Sequence, residues 1–328
     1  MPDTHELRPA TERILERLPG PRLVWIAVWA LVPWLNAGAN LLLGTEGAVW
    51  EQSDALVILN YAALSFAVVI TLWGTARIAR RLETLRATAS ALVEGHSREH
   101  FRGINNITGP LVATAATSVA LAAGTLVSDG WTPSLLRGAT WLVLGVPLWT
   151  FLWTYATVQL GLDRLGRERL LPEVVRGDPS LGLRPFGGVA FTGLWILLAW
   201  LVPVVLTGLP DVVGVALGAF VLLAGLATFF LSMLRLHRQM VELKADERAI
   251  ARELYAQAYE PVRASRSLET LEQQHSLLGA ADGLEKRAHA IHEWPIDEGI
   301  FARVVTIARA SSRSRSRASS STRSACEG

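Results

Sequence analysis

The chain has 328 residues, of which 51% are hydrophobic and 18% charged, with a mean hydropathy of +0.32 and a formal net charge of +2. One cysteine, Cys326, excludes a disulfide framework. The pI of about 9.0 does not point to nucleic acid, because the tract 310–328 carries Arg313, Arg315, Arg317 and Arg323 against Glu327 and the rest of the chain is −1; the basicity is local, not a surface built to neutralise phosphates.

Six stretches contain no ionisable side chain: Leu23–Gly44, Ala55–Ala76, Gly103–Ser128, Gly138–Leu162, Phe186–Leu209 and Val212–Leu234. Each exceeds the roughly 20 residues that a helix rising about 1.5 Å per residue needs to cross a bilayer core of about 30 Å. One charge at a helix centre costs about 2.5 to 3.5 kcal/mol on the insertion scale, so six stretches with none predict six transmembrane helices. The fold class expected is therefore all-α and polytopic. The first stretch is too long for a signal-peptide core and lacks a small-residue cleavage site, so it is expected to remain as a span.

Arginine alternates between the loops. Arg8, Arg13, Arg17 and Arg22 precede the first span; Arg77, Arg80, Arg81, Arg86, Arg98 and Arg102 follow the second; Arg164, Arg167, Arg169, Arg176 and Arg184 follow the fourth; the opposite loops hold only Arg137. Positive loops stay on the cytoplasmic side, which predicts a cell (inner or plasma) membrane protein with both termini inside. Trp25, Trp50, Trp73 and Trp131 fall near the expected interfaces.

Residues 1–22 read as a cytoplasmic N-terminal segment and 23–234 as the membrane domain, with cytoplasmic helical loops at 77–102 and 163–185. In the first loop Ile78, Leu82, Leu85, Ala89 and Leu92 recur at helical spacing, so the second span is expected to continue as a helix. After the sixth span, Leu236, Met240, Leu243, Ile250 and Leu254 occupy heptad positions, interrupted by Glu247 and Gln257. Pro261 is expected to break that helix. Leu268, Leu271, His275 and Leu278 mark a returning one, ending at a Gly279–Gly283 break. Residues 235–309 thus form a helical hairpin followed by a short amphipathic helix, and 310–328 a disordered Ser/Arg tail. For the short helix, Pro295 displaces Trp294 from helical dihedrals and Asp297 serves as N-cap, with Ile300, Phe301, Val304, Val305 and Ile307 as an apolar face for membrane-interface docking.

The run Leu234–Glu247, LRLHRQMVELKADE, together with Glu293, Trp294, Pro295, Ile296 and Asp297, resembles a class of uncharacterised prokaryotic multi-pass membrane proteins with a cytoplasmic helical segment and an EWP-aliphatic-D element. The resemblance covers the last third of the chain and implies no activity. Members of that class continue hydrophobically beyond the element. The Ser/Arg tail departs from this, as a truncation or a frameshift replacing a seventh span would.

Polar residues inside spans are costly and tend to be functional. Asn36 and Asn40, one turn apart, and Asn60 on the next span lie at similar depth and form a candidate intramembrane cluster, read either as an interhelical hydrogen-bond set or as the lining of a path. Asp54, Asp129 and Asp211, with Glu46 and Glu51, make an acidic outer mouth, which positive-inside sorting alone also produces. Pro33, Pro147 and Pro203 lie within spans, and WALVPWL at 29–35 resembles AWLVPVVL at 199–206, a hint of internal repetition. All seven histidines fall on the predicted inside; His96 with His100, and His289 with His292, have spacings that could hold zinc, but with no cysteine or HExxH companion no metal or other cofactor is assigned. There is no phosphate-binding glycine loop, nucleophile elbow or kinase signature, so the expectation leans away from an enzyme. Two function classes follow: a scaffold or sensor that presents its helical bundle, residues 236–292, to a cytoplasmic partner or to a second copy, and a cation or small-solute channel with an acidic mouth and an Asn-lined path. The bilayer is the expected surrounding, and nucleic acid is not.

Overall fold

The computed structural model describes residues 7–43, 54–92, 100–168, 183–208, 212–265 and 268–291. Their regular structure is entirely helical: α1 (Ala10–Arg17), α2 (Arg22–Leu42), α3 (Asp54–Leu92), a 3-10 turn at Arg102–Asn105, α4 (Thr108–Asp129), α5 (Trp131–Leu165), α6 (Arg184–Gly208), α7 (Val212–Ser265) and α8 (Leu268–Ala290). Six of these, α2 to α7, are long and apolar enough to cross a membrane, which marks a multi-pass protein in a lipid bilayer. Their surfaces agree: Leu23, Leu35, Leu42, Val119, Phe220, Leu223 and Leu231 are each more than half exposed. Apolar exposure on this scale is foreign to monomers in water but has no cost in hydrocarbon.

The chain divides into two compact units, the first comprising 1–177 and 189–243, the second 178–188 and 244–328. One helix, α7, contributes its first part to one and its second to the other.

In the first unit, α4 and α5 form a helical hairpin joined by a single residue. Gly130 closes α4 by donating its N–H to the Leu126 carbonyl, and its φ of +78° is a conformation that glycine adopts without penalty. Charge counting places the fourth span at Gly138, but α5 begins a full two turns earlier, at Trp131, because nothing in 131–137 opposes a helix once Gly130 has reversed the chain. The third span, expected from Gly103, starts instead at Thr108. The 3-10 turn occupies Arg102–Asn105, and Asn106 Oδ1 then accepts the N–H groups of Thr108 and Gly109 at 3.0 and 3.2 Å, satisfying two of the donors that a helix start leaves free.

The N-terminal segment, to which the sequence reading assigns no element, folds as α1 and packs on the bundle. Leu15 joins Val68, Leu72 and Leu144 in one buried cluster, bordered by Trp25, Ile26, Trp29, Val32 and Trp141. The chain before α1 is tied down as well: the N–H of Leu7 donates to Glu83 Oε2 on α3 at 3.2 Å, and that of Arg8 to Asn105 Oδ1 at 2.7 Å. Glu12 of α1 is salt-bridged to Arg22 at the head of α2. Burial pushes the Glu12 carboxyl above the ordinary carboxylate range, against the lowering by Arg22 and Arg80.

The second unit is a helical pair built from the end of α7 and α8. Its buried positions are small: Ala251 and Ala258 on α7, Ala281 and Ala288 on α8, each pair seven residues apart, with Ile291 beyond. The pair is antiparallel, since Lys244 Nζ donates to the Ile291 carbonyl at 3.2 Å and Glu247 lies 3.6 Å from Arg287. Three expectations are corrected here. The buried face of the pair lies one residue off the expected positions, after Ile250 on α7 and before His275 on α8: Ile250 is 51% exposed and His275 is exposed, whereas Leu236 and Met240, earlier on α7, are buried as the heptad expects. Pro261 does not break α7, which continues to Ser265; the hydrogen bond it forfeits lies in the last turns, where little helix remains to be held. Gly279 and Gly283 do not break α8, since each glycine costs only about 1 kcal/mol relative to alanine in a helix interior.

Two outcomes are expected. Because Glu12 holds its proton more tightly in the docked segment, docking of α1 is strongest below the ordinary carboxylate pKa and weakens as pH rises through the raised value. The protection factors of the α1 amides, exchange corrected for its intrinsic pH dependence, should be higher near pH 4 than near pH 7, and Glu12→Gln should keep α1 protected at both; lower protection factors in that variant would mean that pairing with Arg22 outweighs burial. In the helical pair, Ala258→Leu should cost about 1 to 3 kcal/mol by overpacking and Ile250→Ala less than about 1, measured by thermal unfolding of the full chain.

Candidate functional site

The interior of the first unit handles its polar side chains in two ways. Hydroxyls turn back onto their own helices: Thr71 to the Ala67 carbonyl, Thr75 to Thr71, Thr114 to Pro110, Ser118 to Thr114 and Thr154 to Thr150, all at 2.7 to 2.8 Å. Longer polar groups find a partner on another helix, as Asn36 does on α5 and Trp34 on α3, and four such contacts line the seam between α5 and α7.

Four rungs cross that seam. Tyr155 Oη donates to the Gly225 carbonyl at 2.8 Å; Ser232 Oγ lies 2.6 Å from Gln159 Oε1; Asp163 Oδ1 lies 2.5 Å from Arg235 Nη1; and Gln239 Nε2 donates to the Glu168 carbonyl at 2.7 Å. Residue numbers rise together on the two helices, so they run parallel. On α5 the first three rungs are four residues apart, the spacing that stacks side chains on one face. Leu162, Leu165, Phe229, Met233, Leu236 and Met240, all buried, fill the spaces between.

Tyr155 sits where four helices meet. Its ring lies on Gly193 of α6, where an added Cβ would stand 2.8 Å from Cδ2 and 3.7 Å from Ile78 Cδ1 of α3, and its hydroxyl reaches α7. At the arginine-rich end, Asp163 also accepts from Arg167 at 2.8 Å, and His100 Nε2 lies 2.8 Å from Glu168 Oε1, an ion pair when the imidazole is protonated. The chemistry available along the seam is hydrogen bonding and charge pairing between helices, with Asp163, Glu168 and His100 as protonable groups.

The residues singled out from sequence are distributed differently. Asn36 Oδ1 accepts from Thr140 Oγ1 of α5 at 2.8 Å, while α2 and α3 are joined through Ser65 Oγ, which accepts from Trp34 Nε1 at 3.0 Å and donates to the Ala30 carbonyl at 2.7 Å. Asn40 and Asn60 lie half-buried on α2 and α3. Asp54 begins α3 and Asp129 ends α4, while Asp211 lies outside the described residues, as do Trp294, Pro295, Asp297, His96 and His292. His289 pairs with Glu285 at 3.9 Å and Arg248 at 3.5 Å. Among the described residues, no three of His, Cys, Asp and Glu converge as for a metal. Sequence reading passed over Gln159 and Tyr155. The available signal was the four-residue recurrence Tyr155, Gln159, Asp163 inside a stretch scanned only for charge.

Loss of the Tyr155 hydroxyl in Tyr155→Phe should cost about 0.6 to 1.7 kcal/mol, the range of hydrogen bonds between membrane helices. Gly193→Ala should cost more, about 1 to 3 kcal/mol, because its Cβ meets a ring held at both ends, whereas Gly225→Ala meets only the flexible end of Leu197. Thermal unfolding in detergent ranks the three; Gly225→Ala as the most damaging would contradict the placement of Tyr155. Compared with protein-family models, curated proteins and solved structures, the chain matches none.

Proposed function

We propose that the chain is a non-enzymatic scaffold or sensor of the cell membrane, with both termini cytoplasmic, that presents the helical pair of α7 and α8 to a partner. The observation that carries this reading is the continuity of α7. Its 54 residues, about 80 Å of helix, leave the polar seam with α5 and become, without interruption, one half of the pair. Four polar rungs hold the first part of α7 in register with α5. The arginine distribution supports the orientation, by placing the 244–291 pair on the side where positive loops are retained.

Transport has less support. Asn36, the first member of the expected path, is bonded to Thr140, and its partner lies on a third helix. Side chains committed to one another hold helices together; a path needs groups free to exchange partners with a solute.

Two measurements test the reading. In a Cys326→Ser background, a cysteine at Glu46 should react with an impermeant maleimide on intact cells and one at Lys244 only after permeabilisation; the reverse pattern would overturn the orientation. In reconstituted vesicles the wild type should pass cations no faster than empty vesicles. Flux that disappears in folded Asn36→Leu or Asn60→Leu would replace the scaffold by a channel.

A further inference from the structure

We infer that the second rung of the seam, Gln159 with Ser232, is a binding site for one small neutral molecule that both donates and accepts hydrogen bonds, and that the molecule is water. The inference is independent of the scaffold reading. It rests on proton counting. Ser232 Oγ lies 2.6 Å from Gln159 Oε1 and 2.9 Å from the Phe229 carbonyl, both acceptors, yet a hydroxyl has one proton to give. Gln159 Nε2, on a side chain 2% exposed, has no protein partner.

Turning the amide about its last bond does not remove the deficit. Nε2 would then donate to Ser232 Oγ and the hydroxyl to Phe229, leaving Oε1 without a partner. In either orientation one end of a buried amide is unmet, at a cost of about 1 to 3 kcal/mol. A guest with both donor and acceptor character meets the free end whichever it is.

The surroundings limit what that guest can be. The carboxylate one turn along, Asp163, is already paired with Arg235 and with the exposed Arg167, so it calls for no added cation. Gln159 and Ser232 are themselves 2% and 1% exposed, which leaves no exposed approach for a larger solute. Hydroxyl groups elsewhere in the unit avoid the same problem by bonding to their own helix, which a glutamine amide with two opposite ends cannot do for both. Buried water commonly completes such groups.

Radiolytic hydroxyl labelling of the full chain in detergent provides the test, because a bound water generates radicals in place and marks the side chains beside it. Met233, fully buried and adjacent to Ser232, should be oxidised, whereas Phe151, equally buried in an apolar setting, should not. Gln159→Leu should bring Met233 down to the level of Phe151, and Ser232→Ala, which keeps the amide, should leave Met233 labelled. An unlabelled Met233 in the wild type overturns the site, whatever the variants do; undiminished labelling in folded Gln159→Leu overturns the role of Gln159.

Discussion

Hydrocarbon supplies no hydrogen bonds, and that single constraint organises the first unit. Backbone groups are satisfied by helices, which is why the described structure contains nothing else that is regular. Thr71, Thr75, Thr114, Ser118 and Thr154 are satisfied by carbonyls of their own helix. Groups too long or too charged for that, Tyr155, Gln159, Asp163 and Arg235, must find partners across an interface, and in doing so they set which helices are neighbours and in what register. The α5–α7 seam is thus the place where membrane chemistry turns into tertiary structure.

Close approach makes those rungs reachable. The Tyr155 hydroxyl reaches the main-chain oxygen of residue 225 on α7, and its ring can lie against α6 because residue 193 is glycine. The helical pair of the second unit uses the same device with alanine, Ala251 and Ala258 on one helix and Ala281 and Ala288 on the other. In both units small residues occupy part of the line of contact, in the first beside large buried side chains such as Leu72, Phe151 and Leu162. Apolar size therefore misleads as a guide to burial in this chain: Leu42 is 91% exposed and Ala258 wholly buried.

Function has to be read against this background of mutual satisfaction. Asn36 with Thr140, Tyr155 with Gly225 and Asp163 with Arg235 and Arg167 are pairs or triplets that tie α5 to α2 and to α7. The arginine-rich end adds α1, anchored through Leu15, Glu12 and the backbone of Leu7 and Arg8, so this segment is a structural part of the bundle. Protonable groups gather at that end, in Glu12, His100, Asp163 and Glu168, whereas the described helices keep their interior to hydroxyls and amides.

By itself the sequence determined the all-helical class, the six apolar helices and the continuation of the second and sixth beyond the apolar stretch, because the cost of burying charge in lipid is large and acts residue by residue. Helix ends were less legible: Gly130, Asn106 and Pro261 each act through backbone geometry that depends on what precedes them. Only the tertiary structure decided the partners. Gln159 is silent to a search for charge, and its meaning lies in Ser232, 73 residues away; Ala251 and Ala258 are silent to a search for large apolar side chains, and their meaning lies in the helix that covers them. Burial cost is a property of one residue, whereas hydrogen-bond satisfaction and close packing are properties of pairs, and pairs are set by the fold.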